Sequence, residues 1–156
     1  MTRFFDLDEA NATLPEVRTI LESLRDERAE LIRLRDQVVE RQAPAEAPTE
    51  TPTEANVGGT GRSVEPAERE VSATDPEIRV LRLRMQGVID QMQAGVARID
   101  ELGITLREIE TGLIDFPALA SGRQIWLCWR LGDDDVGWWH ELDQGFSGRR
   151  ALADLT

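Results

Sequence analysis

The chain has 156 residues, of which 40% are hydrophobic and 31% charged, and its formal net charge is -12. This length suits a single domain with a modest core. The acidity disfavours nucleic acid and anionic membranes as partners, because both carry negative charge. No apolar run approaches the roughly 20 residues of a membrane span, and one cysteine cannot form an internal disulfide. We therefore expect a cytoplasmic protein.

The N-terminal region, residues 1–41, predicts a short lead-in followed by one long helix. Asp6 or Asp8 can cap a brief first helix. Pro15 suits the first turn of a longer helix over about residues 15–41, because its missing N–H costs nothing there. Apolar residues then recur every three to four positions, and the other positions carry mixed charge. This pattern indicates an amphipathic helix with a narrow coiled-coil stripe.

Residues 42–75 predict a disordered linker. They are rich in Pro, Ala, Thr, Glu and Gly and have almost no large apolar side chain. Such a segment cannot bury enough surface to offset the entropy of ordering. Seven acidic residues against two arginines give it a net of five negative charges, so the remaining chain is only mildly acidic.

Residues 76–103 predict a second long helix. Asp75 can cap it, Pro76 suits its first turn, and Gly103 suits the position just after its end. Its apolar stripe steps by three and four along Ile78, Leu81, Met85, Val88, Met92, Gly95, Ile99 and Leu102. Two stripes this narrow predict an antiparallel, coiled-coil-like hairpin of the two helices, with Gly95 either a point of close approach or a local weakness. Self-association into a larger bundle is the alternative.

In residues 104–156 the apolar period changes from 3.6 to 2, which indicates strands. We expect strands at about 104–107, 113–116, 124–131 and 136–142, followed by an irregular tail. The predicted fold is therefore α+β: the helical hairpin followed by a small antiparallel meander of three to four strands.

The residue types suited to unusual chemistry lie in one C-terminal stretch. It holds the only cysteine, Cys128, and the only histidine, His140. Together with Glu141, and with Asp115 and the Asp133–Asp135 turn nearby, these residues could bind zinc or another divalent metal. If Leu131 pairs with Val136, Cys128 and His140 point to opposite faces, whereas a shift of one residue would place them opposite each other. Without a recognisable ligand spacing, we favour no cofactor and a buried, unreactive thiol.

All four tryptophans fall in the same stretch. On alternating strand faces, Trp126 and Trp139 would share one side and Trp129 and Trp138 the other. One pair would then join the core, and the other could form a binding face for a peptide, a ligand or a second protomer. The same stretch ends in GFSGRR, where Arg149 could hold an anionic group or pair with Glu141 or Asp143.

Three C-terminal motifs, GLIDFPAL, LCWRLG and WWHELDQGFSGRR, together with the opening FFDLDEANATLPEVR, resemble the prokaryotic family called Domain of Unknown Function 2203. The resemblance covers nearly the whole chain except the linker. It supports the element boundaries and implies no activity or substrate.

The sequence thus predicts a non-enzymatic interaction module that binds a protein partner or a second copy through its helical hairpin. We expect Trp126, Trp129, Trp138, Trp139, His140, Glu141 and Arg149 to form its recognition face. The alternative is a small-ligand or metal-binding protein, possibly an enzyme, that uses Cys128, His140, Glu141 and Arg149.

Overall fold

A computed structural model describes residues 2–42 and 75–155. The predicted linker lies almost entirely outside these residues, and its disorder stays a prediction. The chain divides into two compact units, residues 1–31 with 88–156 and residues 32–87. Among the described helices, none combines the length and apolarity needed to cross a membrane.

Helix α1 spans Leu7–Gln42 without interruption. Asp6 caps it as predicted, since its Oδ1 accepts a hydrogen bond from the Glu9 backbone N–H at 2.8 Å, and the Glu9 side chain accepts one in return from the Asp6 N–H. The expectation that a separate long helix begins at Pro15 was wrong. Pro15 lies inside α1 on its exposed side, while Leu14 before it and Val17 after it are buried. Burying this continuous face outweighs the loss of one backbone hydrogen bond.

Helix α2 spans Pro76–Glu101. It is capped by Asp75, whose Oδ1 accepts from the Glu77 backbone N–H at 2.9 Å, and is followed by Gly103 with a φ of +82°. The two helices run antiparallel in the first unit. A Cβ added at Gly95 would lie only 3.1 Å from the Leu24 side chain. Gly95 therefore marks the close approach that the sequence left open.

The described part of the second unit contains the C-terminal end of α1 and the N-terminal end of α2. Leu34, Val38, Ile78 and Leu81 are buried there. Arg41 and Glu77 form an exposed ion pair, which contributes little to stability in water.

The sheet is an antiparallel meander of five strands in the order β1-β2-β3-β4-β5, all in the first unit. The expected count of three to four was low, because the two-residue strand β5 pairs with β4 inside the predicted irregular tail. Two short 3₁₀ helices, Phe146–Gly148 and Leu152–Asp154, flank β5. The strands are β1 (Thr105–Glu108), β2 (Leu113–Ala120), β3 (Arg123–Arg130), β4 (Trp138–His140) and β5 (Arg150–Ala151).

The inner face of the sheet packs against the helices of the first unit and forms the core. Ile114, Phe116 and Trp129 on this face are completely buried, and so are Val17 and Leu21 on α1. Because side chains alternate across a strand, the residues between these sheet positions lie on the opposite, outer face. That outer face carries the chemistry described next.

Candidate functional site

The pairing of β3 with β4 decides which C-terminal side chains meet. Cys128 is opposite Trp138, and Trp126 is opposite His140. Both registers considered from the sequence were therefore wrong. Since Cys128 lies two residues from Trp126 on the same strand, Cys128 and His140 share the outer face.

The connection from β3 to β4 sets this register, and it is longer than a hairpin turn. The backbone N–H of Val136 donates to the side chain of Asn11 on α1 at 2.8 Å. The indole Nε1 of Trp129 donates to the backbone oxygen of Asp134 at 2.9 Å. Gly132 has a φ of +102°, which a residue with a side chain rarely adopts. The Asn11 contact comes from far along the chain and leaves no trace in the local alternation of apolar residues.

The tryptophans divide differently from the expected pairing. Trp129 and Trp139 are buried on the inner face, and Trp126 and Trp138 are half-buried on the outer face. The outer rings are already in contact with arginine. The Arg107 guanidinium lies 4.9 Å from the centre of the Trp126 ring, and the Arg149 guanidinium lies 4.5 Å from that of Trp138. These cation–π contacts occupy the aromatic surface that the sequence offered as a recognition face.

A polar cluster lies between these two tryptophans, and it consists of Asp115, Cys128 and His140. Asp115 comes from β2, directly opposite Cys128. The ligand-type atoms of the three side chains all lie within 4.8 Å of one another, and the residues are only 3%, 0% and 1% exposed. The structure thus brings together Cys128 and His140 as the metal alternative required, with Asp115 as the nearby carboxylate.

Both ring nitrogens of His140 face oxygen atoms. Nδ1 lies 2.8 Å from the backbone oxygen of Glu141, and Nε2 lies 3.0 Å from Oδ1 of Asp115. The other carboxylate oxygen of Asp115 accepts from Nε of Arg107 at 2.9 Å. The histidine ring is therefore fixed from both sides.

The side chains of Glu141 and Arg149 have partners other than the predicted ones. Glu141 contributes its backbone oxygen to the cluster, but its side chain is paired with Arg123 and not with Cys128 or His140. Arg149 donates to Asp133 at 3.0 Å, not to Glu141 or Asp143. Arg149 also contacts the Phe146 ring at 4.3 Å. The arginine thereby joins the loop after β3 to the tail.

Cys128 has the character of a protonated, unreactive thiol in the protein alone. Burial raises its pKa from 9.0 to about 12, and the negative charge of Asp115 adds to the effect while Arg149 opposes it. Nucleophilic catalysis requires a thiolate near neutral pH. The arrangement therefore does not support a Cys–His nucleophile, while a sulfur, a nitrogen and an oxygen so close together are a plausible metal-ligand set.

A second feature, which the sequence analysis missed, is an apolar groove of about 670 Å³ on the first unit. Three of the residues that line it, Ile89, Met92 and Val96, follow one another on α2 at spacings of three and four. This spacing is visible in the sequence, and it was the signal that could have revealed the groove. Leu31, Ile104, Leu106 and Ile109 form other parts of the lining.

A comparison with known protein families matches residues 3–152 to the model described as "Uncharacterized conserved protein (DUF2203)". The chain belongs to the DUF2203 family. The match confirms the resemblance seen in the C-terminal motifs. No curated protein and no solved structure matches this DUF2203 chain.

Proposed function

We propose that this DUF2203 protein is a non-enzymatic interaction module and that the apolar groove is its recognition surface. The observation that carries the proposal is the composition of the groove, whose lining has nine apolar residues among twelve. Large exposed apolar surfaces on folded domains mark sites where another molecule binds. We place the protein in the cytoplasm, where its one free cysteine needs no oxidising environment.

The dimensions of the groove favour an amphipathic helix as the bound partner. The stripe from Ile89 to Asp100 on α2 extends over roughly 16 Å, at about 1.5 Å per residue, which equals three helical turns. Helix-in-groove recognition uses apolar side chains at three- and four-residue spacing over such a length. A third helix placed here would cover Val96, which is 38% exposed, and would extend the packing of α1 and α2.

Charge favours a partner helix with basic flanks. Asp100 is the one ionisable residue in the lining of the groove, and the whole chain carries a net charge of -12. A cationic partner is attracted to such a surface, and an acidic partner is repelled. We assign recognition to the groove and not to the outer tryptophans, because arginines of the same chain already contact those rings.

The test uses a fluorescent three-turn peptide with leucine on one face and lysine on the others, titrated with the full-length protein. The Val96→Arg variant puts a charge into the groove. The matched control is Leu83→Arg, which makes the same change at a 74% exposed position of α2 that does not line the groove. We expect wild type and Leu83→Arg to bind alike, and Val96→Arg to lose at least about tenfold in affinity, or 1.4 kcal/mol.

Three outcomes would contradict the proposal. Equal binding by the two arginine variants would place the peptide elsewhere on the protein. Equal binding of a peptide with glutamate in place of lysine would remove the charge argument. A stable dimer in light scattering that Val96→Arg dissociates would show that a second copy of this chain, and not a basic helix, occupies the groove.

A further inference from the structure

The polar cluster contains an unusual hydrogen-bond arrangement around His140. The backbone oxygen of Glu141 can only accept a hydrogen bond, so the nearby Nδ1 carries the hydrogen. In a neutral imidazole the other nitrogen, Nε2, then has a lone pair and no hydrogen. That lone pair points at Oδ1 of Asp115, 3.0 Å away, which as a carboxylate oxygen also only accepts.

Two acceptors at this distance repel each other unless a positive charge lies between them. A proton on either side chain can supply it, and so can a metal ion bonded to both atoms. Cys128 favours the metal ion. Its sulfur, which interacts with the side chains of Asp115 and Arg149, lies within 4.8 Å of both atoms and adds a third ligand type that a shared proton does not use.

We propose that Asp115, Cys128 and His140 bind one divalent metal ion of borderline softness, best represented by Zn²⁺. The donor set is an imidazole nitrogen, a thiolate sulfur and a carboxylate oxygen, which are the three ligand types that zinc takes in proteins. Zinc bonds of roughly 2.0–2.3 Å place neighbouring ligand atoms of a tetrahedron roughly 3.3–3.8 Å apart. Small side-chain rotations bring the three atoms from their present separations into that range.

The surroundings of the cluster resemble the outer shell of a metal site. Metal-bound histidines usually donate their second N–H to a carbonyl or a carboxylate, and here Nδ1 faces the Glu141 backbone oxygen. Ligand carboxylates are usually hydrogen-bonded on the free oxygen, and here Arg107 donates to Oδ2. A divalent ion with one carboxylate and one thiolate is a neutral set, which suits a buried position, and the charge of Arg107 beside it is partly exposed to water.

Three protein ligands leave a fourth coordination position for water or an external ligand. A cavity of about 280 Å³ adjoins the cluster, with Asp115 and Arg107 in its wall together with the segment of residues 142–146. Of the three ligands, Asp115 is the one that lines this cavity, so an external ligand would approach from the carboxylate side.

The experiment titrates Co²⁺, which replaces zinc and absorbs visible light, into the full-length protein after treatment with a chelator. We expect one Co²⁺ per chain and a near-ultraviolet cobalt–thiolate charge-transfer band. Cys128→Ser should lose the band, and Asp115→Asn should bind at least about tenfold more weakly. Glu141→Gln is the matched control, because this carboxyl group is adjacent to His140 in sequence but paired with Arg123, and it should bind like wild type.

Circular dichroism checks that each variant is folded. The cobalt absorption spectrum of the wild-type protein tests the proposal without any substitution. A folded wild-type protein that binds no cobalt, or binds it without the thiolate band, would overturn the proposal. So would a loss of binding in Glu141→Gln with retention in Asp115→Asn.

Discussion

Two regions of the molecule each concentrate one kind of side chain, and they are the apolar groove beside α2 and the polar cluster on the outer face of the sheet. The two regions differ in their exposure to solvent. The groove is open, with Val96 38% exposed, whereas no member of the cluster exceeds 3%. An open apolar surface gains stability when another apolar surface covers it. A closed polar cluster can gain only from something small enough to fit between its atoms. This difference in exposure and polarity is the reason that we propose a macromolecular partner for the first and an ion for the second.

The largest expected effect on stability comes from breaking the cluster. His140→Leu leaves the Asp115 carboxylate buried without its histidine partner, so it should lower the free energy of unfolding by about 1–3 kcal/mol. In the double variant with Asp115→Leu, neither member of the His140–Asp115 pair is left without the other, and Arg107, the second partner of Asp115, is partly exposed to water. Urea denaturation should show that the two substitutions are non-additive by at least about 0.5 kcal/mol. Strictly additive losses would mean that the two side chains do not interact.

A pH titration gives a second, smaller effect that isolates Cys128. The chain has no lysine and no tyrosine, so few other groups titrate between pH 9 and 12. Burial raises the pKa of the folded thiol from 9.0 to about 12. In this window the folded state keeps a proton that the unfolded state loses, so stability falls as the pH rises, by up to about 1.4 kcal/mol per pH unit.

The measurement for this prediction is urea denaturation of chelator-treated protein at several pH values from 8 to 12. Cys128→Ala is the control, because it removes the only thiol. The slope should disappear in that variant. An equal slope with and without the thiol would show that Cys128 is not the group responsible.

The smallest effect is expected in the groove. Val96→Arg adds a charge at a partly exposed helical position, and arginine is a good helix former, so stability should change by no more than about 0.5 kcal/mol. Thermal denaturation of the purified variant checks this. A loss above about 2 kcal/mol would mean that Val96 packs in the core of the domain and that the groove is not open.

The helices were predictable because their signals are local. The helix ends are set by residues that act on their near neighbours in the sequence. These residues are Asp6 with Glu9, Asp75 with Pro76, and Gly103, and each has the role that its sequence position indicates. The continuous α1 was missed because the gain that carries the helix through Pro15 comes from packing of distant segments.

The cluster was predictable only in part, because it also depends on contacts between segments that are far apart in the sequence. Cys128 and His140 stood out as unique residues, but their common face depends on the β3–β4 connection, which Asn11 anchors from far along the chain. Asp115 was expected only as a carboxylate nearby, although it has a local signal, since it is the one charged residue in the otherwise apolar strand β2. The strand pairing, which brings Asp115 opposite Cys128, shows why that charge matters.

The most direct test of the metal proposal is anomalous X-ray diffraction at the zinc edge from crystals of the full-length protein grown with Zn²⁺. We expect one strong anomalous peak at bonding distance, roughly 2.0–2.3 Å, from Asp115, Cys128 and His140 together. A structure in which zinc is bound elsewhere, or in which Nε2 of His140 stays hydrogen-bonded to Asp115 without an anomalous peak, would contradict it.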